Sequence, residues 1–196
     1  MDTSLLISLI FAYILGSVPF GIVWARVFGL GDLRQLGSGN IGATNVLRTG
    51  NKLAALLTFL GDAGKGAVAV LVVRYSGFMS GPELAGFAAM LGHCFPIFLR
   101  FHGGKGVATW FGTMFAISWP LGLIGAATWL GVAAIFRFSS LAGLTSVITM
   151  PVWAAFLVGQ EAFYATAAMA VVITYRHKEN IARLRDGSES RIGKYS

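Results

Sequence analysis

The chain has 196 residues, of which 56% are hydrophobic and only 12% are charged. A soluble domain carries about a quarter charged residues, so this composition argues against a soluble protein and predicts a polytopic membrane protein. The net charge is +7, but the basic residues lie in short segments between apolar runs, and we expect no nucleic-acid partner. The single cysteine, Cys94, excludes an internal disulfide and is expected to pack in the interior.

The N-terminal apolar run, residues 3–25, differs from a signal peptide. Asp2 precedes it in place of a basic segment, and the first positive charge, Arg26, follows the run. This pattern predicts a retained first span with the N-terminus outside. A membrane helix needs about 20 apolar residues, and several of the candidates are shorter. The seven candidate spans are residues 3–25, 53–73, 84–99, 107–119, 121–136, 138–158 and 162–175.

The stretch from residue 107 to residue 136 has two interpretations. A single helix of about 30 residues would be about 45 Å long, which exceeds the hydrocarbon core of a bilayer. The sequence Ser118-Trp119-Pro120 interrupts the stretch, and proline lacks an N–H donor and clashes with the preceding turn. We therefore expect two short spans that form a hairpin.

Positive charge sets the predicted orientation. With seven spans and the N-terminus outside, the inner segments hold 13 of the chain's 15 lysines and arginines. Cytoplasmic loops carry such an excess, whereas six spans would leave the basic C-terminal tail outside. The sequence therefore predicts one all-α membrane domain over residues 1–196, with seven transmembrane helices and a cytoplasmic C-terminus. The inner segments are 26–52, 100–106, 137 and 176–196.

The first inner segment contains GSGNIGATNVLRTG, residues 37–50. Its glycines permit positive φ and close backbone approach, and Ser38 or Asn40 could cap a short helix that runs to Arg48. A helix start offers free N–H donors, and the planar guanidinium of Arg48 suits a phosphate. The alternative is a tight interfacial loop in which the arginine only extends to the lipid headgroups.

Asp62 and Lys65 lie three residues apart in the second predicted span and share a helix face. Charges at that depth are costly, and they pair with each other or line a polar cavity. Two interpretations follow: an internal ion pair that fixes helix packing, or the floor of a polar site. The stretch GDAGKG is not a P-loop, because neither Ser nor Thr follows its GK.

Residues 101–107, FHGGKGV, combine three features that bind anions. Three glycines surround Lys105, and successive backbone N–H groups in such a turn form an anion nest. A helix that begins at Val107 would add partial positive charge, and Lys105 adds a full charge. The sequence predicts a phosphate or carboxylate site here, with a flexible loop and a snorkelling lysine as the alternative. The glycines are Gly103, Gly104 and Gly106.

The last span is followed directly by RHKENIARLRDGSES, residues 176–190. A basic amphipathic helix on the inner leaflet is one interpretation of this stretch. In the other, His177 and Asn180, which share a helical face, turn towards the glycine-rich loops. Several anion-binding elements on one side of the membrane are more than a single phosphate needs. We therefore expect two phosphate-bearing ligands, or one substrate and a leaving phosphate.

Four motifs in order carry a resemblance to a known family. They are GSGNxGATNxxRxxG, DxxKG, GHxFP with FxGGKGVAT, and RHxxNIxRLxxGxE. Over nearly its whole length the chain resembles the acyl-phosphate-dependent glycerol-3-phosphate acyltransferases of bacteria, the PlsY type. Three departures are small: Ile41 stands where the family often has proline, His102 where Lys or Arg is common, and Ser188 where threonine is frequent.

The resemblance implies a reaction in which acyl phosphate and sn-glycerol 3-phosphate give 1-acyl-glycerol 3-phosphate (lysophosphatidic acid) and inorganic phosphate. This is the first acylation of bacterial phospholipid synthesis, on the cytoplasmic face of the inner membrane. No metal or cofactor is implied. Membrane lipid surrounds the chain, an enzyme that forms acyl phosphate is a candidate partner, and we expect a monomer.

The resemblance also implies roles for individual residues. The base that deprotonates the glycerol hydroxyl is left open between His177 and a phosphate oxygen of the acyl phosphate, and Glu189 is expected to be structural. The expected catalytic residues are Ser38, Arg48, Lys105, His177 and Asn180. The expected substrate-binding residues are Gly39, Asn40, Gly42, Thr44, Asn45, Asp62, Lys65, Gly103, Gly104 and Gly106.

Two other classes of membrane protein share parts of this pattern. A transporter for an anionic solute would also have several spans, basic loops and an intramembrane ion pair. Transporters usually place polar groups at the midplane in repeated halves, whereas here the polar groups cluster at one face and no repeat is visible. A structural scaffold, whose loops only bind anionic lipid, is the other alternative.

Overall fold

The computed structural model describes residues 3–76 and 81–193, and every regular element in these ranges is helical. Asp2 and the end of the basic tail, on which the predicted orientation partly rests, lie outside these ranges. Two short 3-10 helices, Leu33–Gln35 and Ile97–Leu99, lie in the loops. The α-helices are α1 (Thr3–Gly16), α2 (Phe20–Val27), α3 (Ala43–Leu47), α4 (Lys52–Tyr75), α5 (Pro82–Cys94), α6 (Val107–Ile117), α7 (Trp119–Phe136), α8 (Ser139–Leu157), α9 (Gln160–Arg176) and α10 (Lys178–Asp186).

Within the described ranges, five segments are long and apolar enough to cross a membrane. The other two of the seven predicted spans correspond to helices shorter than these five, since α6 has 11 residues and α9 has 17. The count of seven spans and the outside position of the N-terminus therefore stay predictions. The five segments are Thr3–Val27, Lys52–Tyr75, Pro82–Leu99, Trp119–Phe136 and Ser139–Leu157.

The predicted first span, residues 3–25, corresponds to the apolar segment Thr3–Val27, but this segment contains a helix break that the sequence analysis did not predict. α1 ends at Gly16 and α2 begins at Phe20, with Pro19 at the junction. Proline cannot donate a backbone hydrogen bond, and it restricts the residue before it to extended conformations. The carbonyl of Val18 is therefore free of the helix, and it accepts a hydrogen bond from Lys65 Nζ at 2.9 Å.

The predicted break between residues 107 and 136 is confirmed. α6 ends at Ile117, and Ser118 has extended backbone angles of φ −158° and ψ 121°. Pro120 lies in the first turn of α7, where its missing N–H costs no helical hydrogen bond. Because α6 and α7 pack against each other, the single long helix is excluded in favour of the hairpin.

α4 and α6 approach each other through small residues. A Cβ atom at Gly66 of α4 would lie 2.3 Å from the carbonyl oxygen of Thr109, and one at Gly112 of α6 would lie 1.8 Å from that of Ala63. Small residues allow such backbone contact between membrane helices, where apolar burial gives little driving force. Beside this contact lies a core around Trp110 that contains Cys94, which is fully buried as predicted.

The glycine-rich loop, residues 101–106, precedes α6. Arg74 fixes the other end of α6. Its Nη1 donates to the carbonyl of Ala116 at 2.7 Å, and its Nη2 donates to that of Ile117 at 3.0 Å. The last carbonyls of a helix lack intrahelical partners, so the guanidinium satisfies two of them. α4 thereby holds α6 along its length through small residues and at its end through Arg74.

We predict that Gly112→Ala destabilises the protein while Gly131→Ala does not. The new Cβ at position 112 would overlap the Ala63 carbonyl, and overpacking of this kind typically costs about 1–3 kcal/mol. A Cβ added at Gly131 in α7 would have no atom within 4 Å, and alanine favours the helix. Thermal unfolding of the detergent-purified variants measures the difference. Equal midpoints would contradict the proposed close contact between α4 and α6.

Candidate active site

The three predicted anion-binding segments meet around one polar cavity of about 160 Å³. The first loop (residues 37–50), the glycine-rich loop and the junction of α9 with α10 each contribute to its wall. Three cations and one carboxylate lie among the lining side chains. The lining residues are Ser38, Gly39, Asn40, Gly103, Lys105, Tyr175, Arg176, Lys178 and Glu179.

The glycine-rich loop is held from two sides. On one side the N–H of Gly104 donates to the carbonyl of His93 at 3.1 Å, and the His93 ring lies against the loop. On the other side Arg176 donates from Nε to the Gly104 carbonyl at 3.1 Å and from Nη2 to the Gly103 carbonyl at 2.7 Å. A Cβ atom at Gly104 would lie 2.1 Å from His93 Nε2, so this position admits only glycine.

α6 begins directly after this loop, as the sequence predicted. Gly106 precedes the helix with φ +90°, a conformation that side chains rarely adopt. The first N–H groups of a helix have no intrahelical acceptor, and they carry partial positive charge. The loop therefore places backbone donors and the Lys105 ammonium in the same region.

Lys105 points towards α10, where its Nζ donates to Asn180 Oδ1. Burial, together with the positive charge of Arg183, lowers the pKa of Lys105 to about 8. The ammonium is still mostly charged at pH 7, but it is incompletely solvated. An anionic ligand would restore part of the lost solvation, and this arrangement favours binding of a phosphate.

His177 is buried between α9 and α10. Its Nδ1 lies 2.8 Å from the carbonyl of Ile173. Because a carbonyl only accepts, Nδ1 must carry the hydrogen, which leaves Nε2 as the nitrogen with a free lone pair. Burial lowers the pKa of His177 to about 4, although the bond to Ile173 opposes this shift. The imidazole is therefore neutral at pH 7.

Glu189 organises the side of the site opposite the glycine-rich loop. Its Oε1 accepts from Ser140 Oγ and from Asn180 Nδ2, both at 2.6 Å, and its Oε2 accepts from Arg183 Nε at 2.7 Å. Burial alone would raise the pKa of Glu189, but these hydrogen bonds hold it below its ordinary value. The carboxylate fixes which way the Asn180 amide faces, so that Oδ1 is presented to Lys105.

Asn45 folds the first loop from within rather than lining the cavity. Its Nδ2 donates to the carbonyls of Leu33 and Leu36 at 2.9 and 3.0 Å. Its Oδ1 accepts from the backbone N–H of Ser38 at 3.0 Å and from the Ser38 hydroxyl at 3.3 Å. Buried and fully bonded, Asn45 holds the backbone that presents Ser38 to the cavity.

The prediction that Ser38 or Asn40 caps a short helix is wrong. α3 spans only Ala43–Leu47, and its first residue follows Gly42, which has no side chain to cap it. The Ser38 hydroxyl is instead bonded to Asn45, which places it in the loop before the helix. Thr44 is exposed to solvent on the same short helix.

Arg48 closes the first loop and contacts the C-terminal segment. Its Nη2 donates to Ser190 Oγ. Gly37, with φ +53°, passes so close that an added Cβ would lie 2.9 Å from Arg48 Nη1. Glycine at position 37 therefore leaves the space that the guanidinium occupies.

Asp62 and Lys65 do not line the cavity but lie buried beside it. Lys65 Nζ is 2.9 Å from Asp62 Oδ1, and His93 Nδ1 is 3.4 Å from the same oxygen. Side-chain exposure is at most 2% for the ion pair, which supports its interpretation as an internal pair. Its connection to the glycine-rich loop runs through His93, whose ring packs against Gly104.

Sequence reasoning missed several residues that the structure brings to the site. Each of them binds another residue of the site. Each is either distant in sequence from its partner or part of a segment that could equally be a surface helix. These residues are Arg176, Ser140, Arg183 and Ser190. Arg176 and Arg183 carried a signal, because both are fixed positions of the C-terminal motif RHxxNIxRLxxGxE. Within residues 3–76 and 81–193 no group of three His, Cys, Asp or Glu side chains could hold a metal ion.

A second, apolar cavity of about 460 Å³ lies on the outer side of α9 and α10, against α8. Thr174 and Ile181, which line it, flank His177 and Asn180 in sequence. The groove and the polar cavity are therefore both lined by residues near the junction of α9 with α10, although they share no lining residue. Its lining residues are Leu141, Leu144, Thr145, Ile148, Thr149, Thr174, Ile181, Leu184 and Arg185.

Comparison with known proteins gives the same family from sequence and from structure. The family model described as glycerol-3-phosphate acyltransferase matches residues 6–187. A glycerol-3-phosphate acyltransferase of Jannaschia sp. (strain CCS1) is 59% identical over 186 residues, which cover 94% of this chain and 91% of the relative. One of Dinoroseobacter shibae is 53% identical over 182 residues, covering 93% of this chain and 90% of the relative.

Two solved structures have the same fold. The glycerol 3-phosphate form of PlsY, an integral membrane glycerol 3-phosphate acyltransferase, has a TM-score of 0.91 and 39% identity, over 98% of this chain and 96% of that one. The lysphosphatidic acid form has a TM-score of 0.89 and 38% identity over the same shares. With its apolar helices, the chain is an integral membrane protein and belongs to the glycerol-3-phosphate acyltransferase family.

Proposed function

We propose that this protein transfers a fatty acyl group from acyl phosphate to the 1-hydroxyl of sn-glycerol 3-phosphate. The products are lysophosphatidic acid and inorganic phosphate, and the reaction is the first acylation of bacterial phospholipid synthesis, at the cytoplasmic face of the inner membrane. The observation that carries the proposal is the polar cavity, in which cations from two separate segments, Lys105 and Arg176, face Ser38 of a third.

The cavity suits a small phosphate ester. Lys105 and the backbone donors of the glycine-rich loop offer one phosphate-binding element, and Ser38 with Arg48 in the first loop offers another. Two such elements match a reaction that brings two phosphate groups together. The names of the relatives and the glycerol 3-phosphate form of PlsY support this choice of acceptor.

The acyl chain of the donor needs an apolar environment next to this polar cavity. The groove between α8, α9 and α10 is apolar, and like the polar cavity it is lined by residues near the junction of α9 with α10. Each CH₂ group removed from water contributes about 0.8 kcal/mol. We place the chain in this groove, with the acyl phosphate carbonyl at its polar end near His177 and Asn180.

The proposed chemistry is direct acyl transfer. The oxygen of the glycerol 1-hydroxyl attacks the acyl carbonyl carbon and forms the ester bond. The bond between that carbon and the phosphate oxygen breaks, and phosphate leaves with the hydroxyl proton. Acyl phosphate is an activated mixed anhydride, so this step needs no cofactor. Alignment of two bound reactants can supply about 7–11 kcal/mol of the barrier.

A phosphate oxygen of the acyl phosphate is the better base of the two candidates. A general base works best when its pKa lies near the operating pH, and burial lowers the pKa of His177 to about 4. The neutral imidazole keeps Nε2 as an acceptor, which suits it to orient the glycerol hydroxyl. We assign His177 this orienting role and assign the proton to the departing phosphate.

The two-substrate assay tests the function as a whole. Purified protein in lipid vesicles receives palmitoyl phosphate and glycerol 3-phosphate, and parallel reactions omit either substrate or replace the donor with palmitoyl-CoA. We expect inorganic phosphate and lysophosphatidic acid to form only when both substrates are present. Equal product from palmitoyl-CoA would overturn the donor assignment, and no product from folded protein would favour a transporter or a scaffold.

The proposed role of Lys105 predicts a specific pH dependence. Its charged form is lost as the pH rises through about 8, so kcat/KM for glycerol 3-phosphate should fall about tenfold per pH unit above that value. In Lys105→Arg the charge persists beyond about pH 12, and we expect the alkaline fall to move to higher pH. In Lys105→Ala we expect at least about a tenfold lower rate at pH 7.

The comparison of these two variants decides the role of the ammonium. If Lys105→Arg declines at the same pH as the wild type, another group causes the alkaline fall. If Lys105→Ala is fully active at pH 7, the lysine takes no part in binding phosphate.

The assignment of the base is tested by His177→Gln. A general base typically contributes about 10²–10⁴-fold to the rate. Because we assign the proton to phosphate, we expect turnover within about tenfold of the wild type. KM for each substrate and the thermal unfolding midpoint serve as controls for loss of structure. A fall in kcat beyond about a hundredfold, with KM and midpoint unchanged, would make His177 the base.

A further inference from the structure

The residues after α10 form a strap, residues 187–193, that folds back over the site. Gly187 turns the chain with φ +78°. Near its end, the N–H of Ile192 donates to the Arg137 carbonyl at 2.7 Å, and Arg137 Nη2 donates to the Ile192 carbonyl at 3.0 Å. The Arg191 guanidinium lies 5.4 Å from the centre of the Phe138 ring. The strap is therefore anchored to the start of α8.

Between these two ends the strap makes two contacts with the site. Glu189 binds Asn180, which in turn accepts from Lys105 of the glycine-rich loop. Ser190, the next residue, accepts from Arg48 of the first loop. Two adjacent residues thus join the two segments that we assign to phosphate binding. Among the described residues no other segment is bonded to both Arg48 and Asn180 through side chains.

Ser190 leaves most of the Arg48 guanidinium free. An arginine has five N–H donors in a planar fork, and the Ser190 hydroxyl uses one of them. A phosphate can therefore bind the remaining donors while the serine stays in place. Without the serine, the long Arg48 side chain would sample several rotamers, and binding would have to restrict it.

We propose that Ser190 is a positioning residue that acts through Arg48, holding the guanidinium in the orientation in which it binds substrate phosphate. The strap thereby belongs to the substrate site and sets the spacing of its two phosphate-binding elements. This inference rests on the proposed function, because it assigns Arg48 to a substrate phosphate.

The test compares Ser190→Ala with Ser188→Ala in the two-substrate assay. Ser188 lies in the same strap, but its hydroxyl bonds to the exposed Asp186, away from the site. For Ser190→Ala we expect KM for a phosphate-bearing substrate to rise about fivefold, with kcat within about twofold and the unfolding midpoint unchanged. Ser190→Thr, which keeps the hydroxyl, should recover most of the affinity. Ser188→Ala should match the wild type.

A double-mutant cycle shows whether the serine acts through the arginine. In an Arg48→Lys background, which lacks the planar fork, Ser190→Ala should raise KM much less than it does in the wild type. An equal rise in both backgrounds overturns the proposal, as does a wild-type KM in Ser190→Ala. A joint loss of kcat and thermal stability would make Ser190 a structural anchor only and likewise overturns it.

These outcomes are separate from failure of the proposed function. If the wild-type protein does not use acyl phosphate and glycerol 3-phosphate, the function fails before any strap variant is measured. If the wild type is active and Ser190→Ala is indistinguishable from it, the function stands and the strap proposal fails.

Discussion

The site depends on how the backbone of Gly103 and Gly104 is held. His93 supports it from α5, through the Gly104 N–H and through its ring, and Arg176 binds both carbonyls from the end of α9. The same loop leads directly into α6. The position of this proposed phosphate-binding loop is therefore set by the packing of three helices, and a side chain at either glycine would displace the end of α5 from the loop.

Beneath this loop lies a buried charge network that links it to the N-terminal segment. Asp62 pairs with both Lys65 and His93, and Lys65 donates to the Val18 carbonyl, which lies where the chain unwinds before Pro19. Removal of one partner from a buried ion pair leaves an uncompensated charge and typically costs about 3–5 kcal/mol. The helix break that sequence analysis missed is thus a component of the support for the site.

The sequence predicted the helical class, the break near Ser118, the start of α6 and the set of segments that form the site. These features depend on apolar runs, prolines and glycines, whose effects are local. It did not predict the interior role of Asn45, the hydrogen bonds from Arg176 to the glycine-rich loop or the contact of Ser190 with Arg48. Each of these is a hydrogen bond between parts of the chain that only folding brings together, and in the last case the partners are 142 positions apart in sequence.

The arrangement also suits the proposed acyl phosphate donor, which is part lipid and part phosphate. Residues near the point where α9 passes into α10 line either the polar cavity or the apolar groove. His177 and Asn180 are buried there with their hydrogen bonds fixed by Ile173 and Glu189. A reacting carbonyl at this boundary would have its chain in an apolar environment and its phosphate among cations. Neither cavity alone would place it, so the proposed specificity for an acyl phosphate rests on both cavities lying near this junction.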